Sequence, residues 1–200
     1  MKTITCLIFD DELCSLEILQ NYAQQVPTLQ IKGSFTNPLE GLAFAKKSPP
    51  DLIITDLNMP QLSGIDLWKQ LHPNSWFIFQ SGYPDWLSQT MGEKVMDTLY
   101  KPFSFDRFQA AIKKVCTLIS LEKEENNIKI KFAQLTPTEQ NIIFHIGLLK
   151  ESKEIADLSF NSIKTIDRHR ENVREKLGFH RKHELLEFAI LANKYLSILA

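Results

Sequence analysis

The chain has 200 residues, 44% of them hydrophobic and 10% aromatic, enough apolar mass for one or two packed cores. Its formal net charge of −1 sets up no strong field toward an acidic or basic partner. No apolar run reaches the roughly 18 residues of a membrane span, and the acidic pair in MKTITCLIFDDE falls where a secretory signal needs its apolar core, so a cytoplasmic protein with no membrane partner is expected.

In chain order, ITCLIF (4–9) reads as an apolar strand, and Leu13, Leu16, Leu19 and Ala23 then recur at helical spacing. IKGSF (31–35) is a weak strand and 38–47 a helix. DLIIT (51–55) is a buried strand and 64–71 a helix. WFIF (76–79) is a strand and Pro84 to about Glu93 a helix. VMDTLY (95–100) is a strand, and Phe105 to about Leu121 a helix. Five strands and five helices in strict alternation predict an α/β fold, a parallel, doubly wound sheet with helices on both faces. Cys6, Cys14 and Cys116 lack metal-ligand spacing and read as small buried hydrophobes.

LEKEENNIKIKF (121–132) is polar and reads as a linker or an extension of the preceding helix. Residues 133–200 then read as all helix. Thr136, Pro137, Thr138 and Glu139 form a capping box for a helix to about Leu149. A short helix follows over 152–159. Asn161 and Ser162 offer a cap for 163–177, which Gly178 ends, and 181–196 is a fourth helix. Helix, short helix, turn and longer helix is a helix-turn-helix order. Residues 132–200 carry 10 Lys/Arg against 9 Asp/Glu, only +1, so weak non-specific nucleic-acid affinity and reliance on dimers are expected.

The chemistry gathers at strand ends. Asp10, Asp11 and Glu12 follow the first strand, Asp56 ends the third, Ser81 and Gly82 follow the fourth, and Lys101 follows the fifth. In a parallel sheet these ends share one edge, where ligands of such folds sit. Crowded carboxylates with an ammonium and a hydroxyl suit a phosphoryl group with Mg²⁺: Asp56 as nucleophile, Lys101 and the cation on the transferring oxygens, Ser81 donating to one of them.

FDDE (9–12), DLNMPQLSG (56–64), QSG (80–82) and YKPF (100–103), in that order, resemble the receiver domain of bacterial two-component response regulators, with a flavodoxin-like fold over residues 1–120. The resemblance implies that a sensor histidine kinase phosphorylates Asp56. It implies that Asp10, Asp11, Asp56 and the backbone carbonyl of Asn58 hold Mg²⁺, and that Lys101–Pro102 is cis. SFDRF (104–108) looks like receivers of the LytTR group, whose output domain is usually β-rich. One departure stands out: receivers often carry an aromatic switch residue where this chain has Thr98, with Tyr100 beside the lysine instead.

LTPTE (135–139), SKEIAD (152–157), SIKTIDRHRENVREKLG (162–178) and RKHELLEFA (181–189) resemble the NarL/LuxR-type output domain, placed at 133–200 after a 121–132 linker. Lys164, Thr165, Arg168, His169 and Asn172 are the expected DNA contacts, and a homodimer is expected when active. Asp167 stands where that family usually has Lys, and Ser159 and Asn161 stand where apolar residues are usual. Asp167 is expected to pair on the surface with Lys164 or Arg170. The expected function is a response regulator that controls transcription, with self-phosphorylation and slow self-hydrolysis as its only chemistry. The alternatives are a tail that binds protein instead of DNA, and a Mg²⁺-dependent phosphatase using Asp56.

Overall fold

A computed structural model of the chain describes residues 3–72, 74–82 and 94–196, and the helix expected from Pro84 to about Glu93 lies outside them. The chain divides into two compact units, Met1–Ser120 and Leu121–Ala200.

The first unit is a five-stranded, wholly parallel sheet of order β2-β1-β3-β4-β5. Its strands are β1 (Ile4–Phe9), β2 (Leu29–Phe35), β3 (Leu52–Asp56), β4 (Trp76–Ser81) and β5 (Val95–Tyr100). The alternation of the strands sorts their side chains to two faces. Cys6, Ile8, Leu52, Ile54, Ile78 and Leu99 pack with Leu16 and Leu19 of α1 (Leu13–Gln24) and with Phe108, Ile112 and Val115 of α4 (Phe105–Ala133). Leu7, Phe9, Ile53, Phe77 and Phe79 pack with Leu42 and Ala45 of α2 (Pro38–Lys47) and with Leu67 and Leu71 of α3 (Gly64–Leu71). Both faces are covered, which is why the strands read as near-continuous apolar runs. Leu13 opens α1 but is exposed, outside the buried stripe of Leu16, Leu19 and Ala23. Cys14, expected to be buried, is also exposed, whereas Cys6 is fully enclosed and its thiol is pushed far up by burial.

Local chemistry sets the helix starts. The Asn37 side chain accepts from the Leu39 amide ahead of Pro38, and the Ser63 hydroxyl accepts from the Asp66 amide. The stretch 121–132, read as a linker or an extension of the preceding helix, is the latter and continues α4 to Ala133. Its charges hid an apolar position, Ile128, which is buried in the second unit's core.

Among the described residues, that second unit is built of helices: α5 (Pro137–Gly147), α6 (Ser152–Ser159), α7 (Ile163–Leu177) and α8 (Lys182–Leu196), with the α4 residues from 121 onward. Ile142, Ile143 and Ile146 of α5, Ile155 of α6, Ile166 and Val173 of α7, and Phe188 and Ala189 of α8 share one core. Gly147 lets α5 and α8 touch, for a Cβ there would stand 2.4 Å from the Ala189 carbonyl. The Asn193 amide donates to the Phe144 carbonyl in the same seam at 2.8 Å. Thr136 and Glu139 make the expected capping box, and Gly178 closes α7 at φ 69°. Between α6 and α7 the chain turns through Phe160 at φ 52°, a left-handed conformation in which its ring is 99% exposed.

Candidate phosphoryl-transfer site

Parallel pairing brings the ends of β1, β3, β4 and β5 to one edge. Phe9 pairs with Thr55, Asp56 with Gln80, and Ser81 with Tyr100, so Asp10, Asp56, Ser81 and Lys101 follow one another across it. The Lys101 ammonium donates to Asp10 Oδ2 at 2.8 Å and lies 3.2 Å from Asp56 Oδ1. Its backbone amide donates to the Ser81 carbonyl at 2.8 Å, and Lys101–Pro102 is cis. The Glu12 amide donates to Asp10 Oδ1 at 3.0 Å.

One cation thus serves two carboxylates. Asp10 is fully buried, while Asp56 keeps partial access to solvent at 14%. Burial pushes the Asp56 carboxyl above the usual aspartate range; Lys101 and the Asn58 amide pull it back incompletely, and the charge of Asp10 adds to the rise. Lys101 responds the other way. Burial alone would lower its pKa, but the hydrogen bond to Asp10 and the charge of Asp56 overcome that and hold it above the usual lysine value. The edge is therefore rich in hard oxygen donors and short of positive charge, a donor set that suits Mg²⁺, which is typically held by one or two carboxylates and keeps several waters.

The sequence anticipated three clustered acids. The structure joins two of them, Asp10 and Asp56, through Lys101, and leaves Asp11 exposed. Among the described residues, no group of three or more His, Cys, Asp or Glu side chains is assembled closely enough to hold a metal by itself. Ser81 is buried and Asn58 exposed. Sequence reasoning missed Gln80, which is 1% exposed and whose Nε2 reaches Asp10 Oδ2 at 3.5 Å.

Two supports hold this edge. At Gly64 a Cβ would stand 2.3 Å from the Asp56 carbonyl oxygen, so only glycine lets α3 begin there. Gly64→Ala should therefore shift the Asp56 backbone and cost about 1–3 kcal/mol, read as a lower urea midpoint by tryptophan fluorescence. At β5, Arg107 of α4 donates to both Asp97 oxygens at 3.1 and 2.6 Å and to the Thr98 carbonyl at 2.8 Å. Burial would raise the Asp97 carboxyl, but that fork and the Thr98 amide bring it below its usual range. Thr98 is buried at the position where an aromatic was expected, and Tyr100 is 44% exposed.

In the helical unit, Lys164, Arg168 and Asn172 are exposed at spacings of four residues and so share one face of α7, while Thr165 and His169 are half-buried. The Thr165 amide and hydroxyl both engage Ser162 at the helix start. Asp167 was expected to pair with Lys164 or Arg170. Its carboxylate instead accepts from the Ser152 hydroxyl at 2.7 Å, and Arg170 donates to that same hydroxyl at 3.2 Å. That partner lies on another helix, 15 residues away, beyond the reach of i,i+3 and i,i+4 reasoning.

Residues 6–113 match the family described as response regulator receiver domain. An uncharacterized response regulatory protein of Shewanella oneidensis is 32% identical over 114 residues, 56% of this chain and 48% of the relative. The chain spans about half the length of that relative and of several others like it. An uncharacterized transcriptional regulatory protein of Bacillus subtilis, YhcZ, is 26% identical over 94% of this chain and 95% of its own. Among solved structures, RcsB from Salmonella enterica serovar Typhimurium, bound to a promoter with a phosphomimetic, shares the fold. Its TM-score is 0.51 at 21% identity, covering 94% of this chain and 98% of RcsB.

Proposed function

Since the chain belongs to the response regulator receiver family, we propose that Asp56 is its phosphoacceptor and that its phosphorylation state governs DNA binding by the helical unit. The observation that carries this reading is the Lys101 ammonium held between Asp10 and Asp56 at the carboxyl edge of the sheet.

In this mechanism an Asp56 carboxylate oxygen attacks the phosphorus of a phosphohistidine on a sensor histidine kinase. The P–N bond breaks, its electron pair stays with the imidazole, and an aspartyl phosphate forms. Lys101 neutralises one phosphoryl oxygen and the Ser81 hydroxyl donates to another. Asp10, Asp11, Asp56 and the Asn58 carbonyl would hold Mg²⁺, which when bound supplies further positive charge to the transferring oxygens. The same residues admit water for slow self-hydrolysis and turn over no separate substrate. The phosphoryl group favours one of two arrangements of the receiver, and the helical unit then binds DNA as a homodimer. Two regulators among the proteins compared support that output, one named for transcription and one solved on a promoter.

Light scattering on a sizing column tests the switch. Mg²⁺ with beryllofluoride should convert monomer to dimer in the wild type and not in Asp56→Asn; an unchanged wild-type mass, together with no phosphate on Asp56 by mass spectrometry after incubation with Mg²⁺ and acetyl phosphate, would refute the reading. DNA binding has its own test. Lys164→Ala and Arg168→Ala should each weaken binding across all sequences and reduce the salt slope by about one counterion. Unchanged slopes would remove these residues from the interface.

A further inference from the structure

We propose that Gln80 is a positioning residue of the acidic site, holding the Asp10 carboxylate in the orientation that binds a divalent cation. The inference rests on the reading of the site given above.

Gln80 is the register partner of Asp56 on β4, so its side chain leaves the sheet on the same side as Asp56. It is 1% exposed, beside Phe79 and opposite Leu99. A leucine or methionine would pack there without the cost of burying an amide. The amide is used: Nε2 reaches Asp10 Oδ2 at 3.5 Å, the oxygen that also accepts from Lys101 at 2.8 Å. Asp10 Oδ1 accepts from the Glu12 amide at 3.0 Å. Both oxygens of the fully buried carboxylate are thus engaged, Oδ1 by Glu12 and Oδ2 by Lys101 with Gln80 at longer range, and two of the three donors are neutral.

That neutrality matters because Lys101 has a second task. When its ammonium turns to a phosphoryl oxygen, Asp10 loses its only charged donor among these three. The Glu12 amide remains on Oδ1, and the Gln80 amide, long at 3.5 Å while Lys101 occupies Oδ2, is placed to close on that oxygen, so the carboxylate keeps its direction without a cation beside it to compete with the metal. A hydrogen bond from an outer residue to a ligating carboxylate typically changes metal affinity about 10–100-fold when removed.

Isothermal titration of Mg²⁺ into the full chain tests this. Gln80→Met, close in volume, should raise the Mg²⁺ Kd about tenfold. Gln80→Asn, whose amide is one methylene too short to reach Asp10, should do the same and serves if the Met variant does not fold. The urea midpoint without Mg²⁺, followed by tryptophan fluorescence, separates packing from positioning. A lowered midpoint with a wild-type Kd makes Gln80 a packing residue and overturns the proposal. A wild type that takes up no Mg²⁺ and shows no beryllofluoride response overturns the site reading itself, and this inference with it.

Discussion

Asp56→Asn should abolish phosphorylation by acetyl phosphate and, in the absence of Mg²⁺, make the receiver unit more stable than the wild type. The first effect follows from the nucleophile: a neutral amide oxygen does not attack the phosphorus of acetyl phosphate and expel acetate as a carboxylate does. The second follows from electrostatics. Burial and the charge of Asp10 hold the Asp56 carboxyl above its usual range. The folded state therefore binds a proton more tightly than the unfolded chain, in which an aspartate titrates near about 3.9. Stability falls as pH rises from there through the raised folded value, above which the penalty is present in full. Asparagine removes it, and the expected gain is about 0.5–2 kcal/mol. Equilibrium urea unfolding at pH 7, followed through Trp68 and Trp76, reads this directly. Mg²⁺ should stabilise the wild type more than the variant, because it neutralises the same carboxylates. A variant as stable as the wild type or less so, with and without Mg²⁺, would mean that Lys101 alone already balances the site.

The largest effect expected in the helical unit is at Glu139. This carboxylate is 5% exposed and does two jobs. It accepts from the Thr136 amide at 2.8 Å, closing the capping box of α5, and it accepts from Lys176 of α7 at 2.6 Å. Burial would raise its pKa, but the Lys176 hydrogen bond and the Thr136 amide hold it below the usual glutamate range. Glu139→Ala removes the reciprocal cap and the α5–α7 link together and should cost about 2–3 kcal/mol. Glu139→Gln keeps an acceptor for the cap and should cost roughly half as much. The chain's tryptophans, Trp68, Trp76 and Trp86, all lie in the first unit. Amide hydrogen exchange over α5 and α7 is therefore the measurement, with faster exchange confined to the second unit. Wild-type protection would show that packing alone holds α5. Because the folded pKa is depressed, this contribution is present above the unfolded glutamate value near about 4.3 and disappears as pH falls through the folded one.

The sheet was legible because its strands are short apolar runs that end abruptly in charge. Ile54, Thr55 and Asp56 mark such an end, as do Ile8, Phe9 and Asp10. Parallel order then puts those ends on one edge without further information. What escaped detection depended on contacts between elements. Gln80 reads as an ordinary polar residue at a strand end until the β1–β3–β4 register sets it beside Asp10. Asp167 has plausible partners on its own helix, and the preferred one lies on α6. The stretch 121–132 left a linker and a helix extension both open because charge dominates it, and its apolar anchor, Ile128, packs in the second unit's core. Phe160 offers no hint of its left-handed backbone, since bulky residues rarely adopt one.

The seam between α5 and α8, tight enough at Gly147 to exclude a methyl group, also bears on how the protein is made. Residues 137 to 196 span from the start of one helix to the end of the other. A ribosome needs roughly 3–12 s to add that many residues. Until α8 emerges, Ile142, Ile143 and Ile146 have no Ala189 or Phe188 to pack against. The first unit waits as well, since Cys6 and Ile8 of β1 are covered only when Phe108, Ile112 and Val115 of α4 have been made. In the nascent helical unit that apolar face is open to chaperones until α8 is made, and slow codons within α8 would lengthen the exposure.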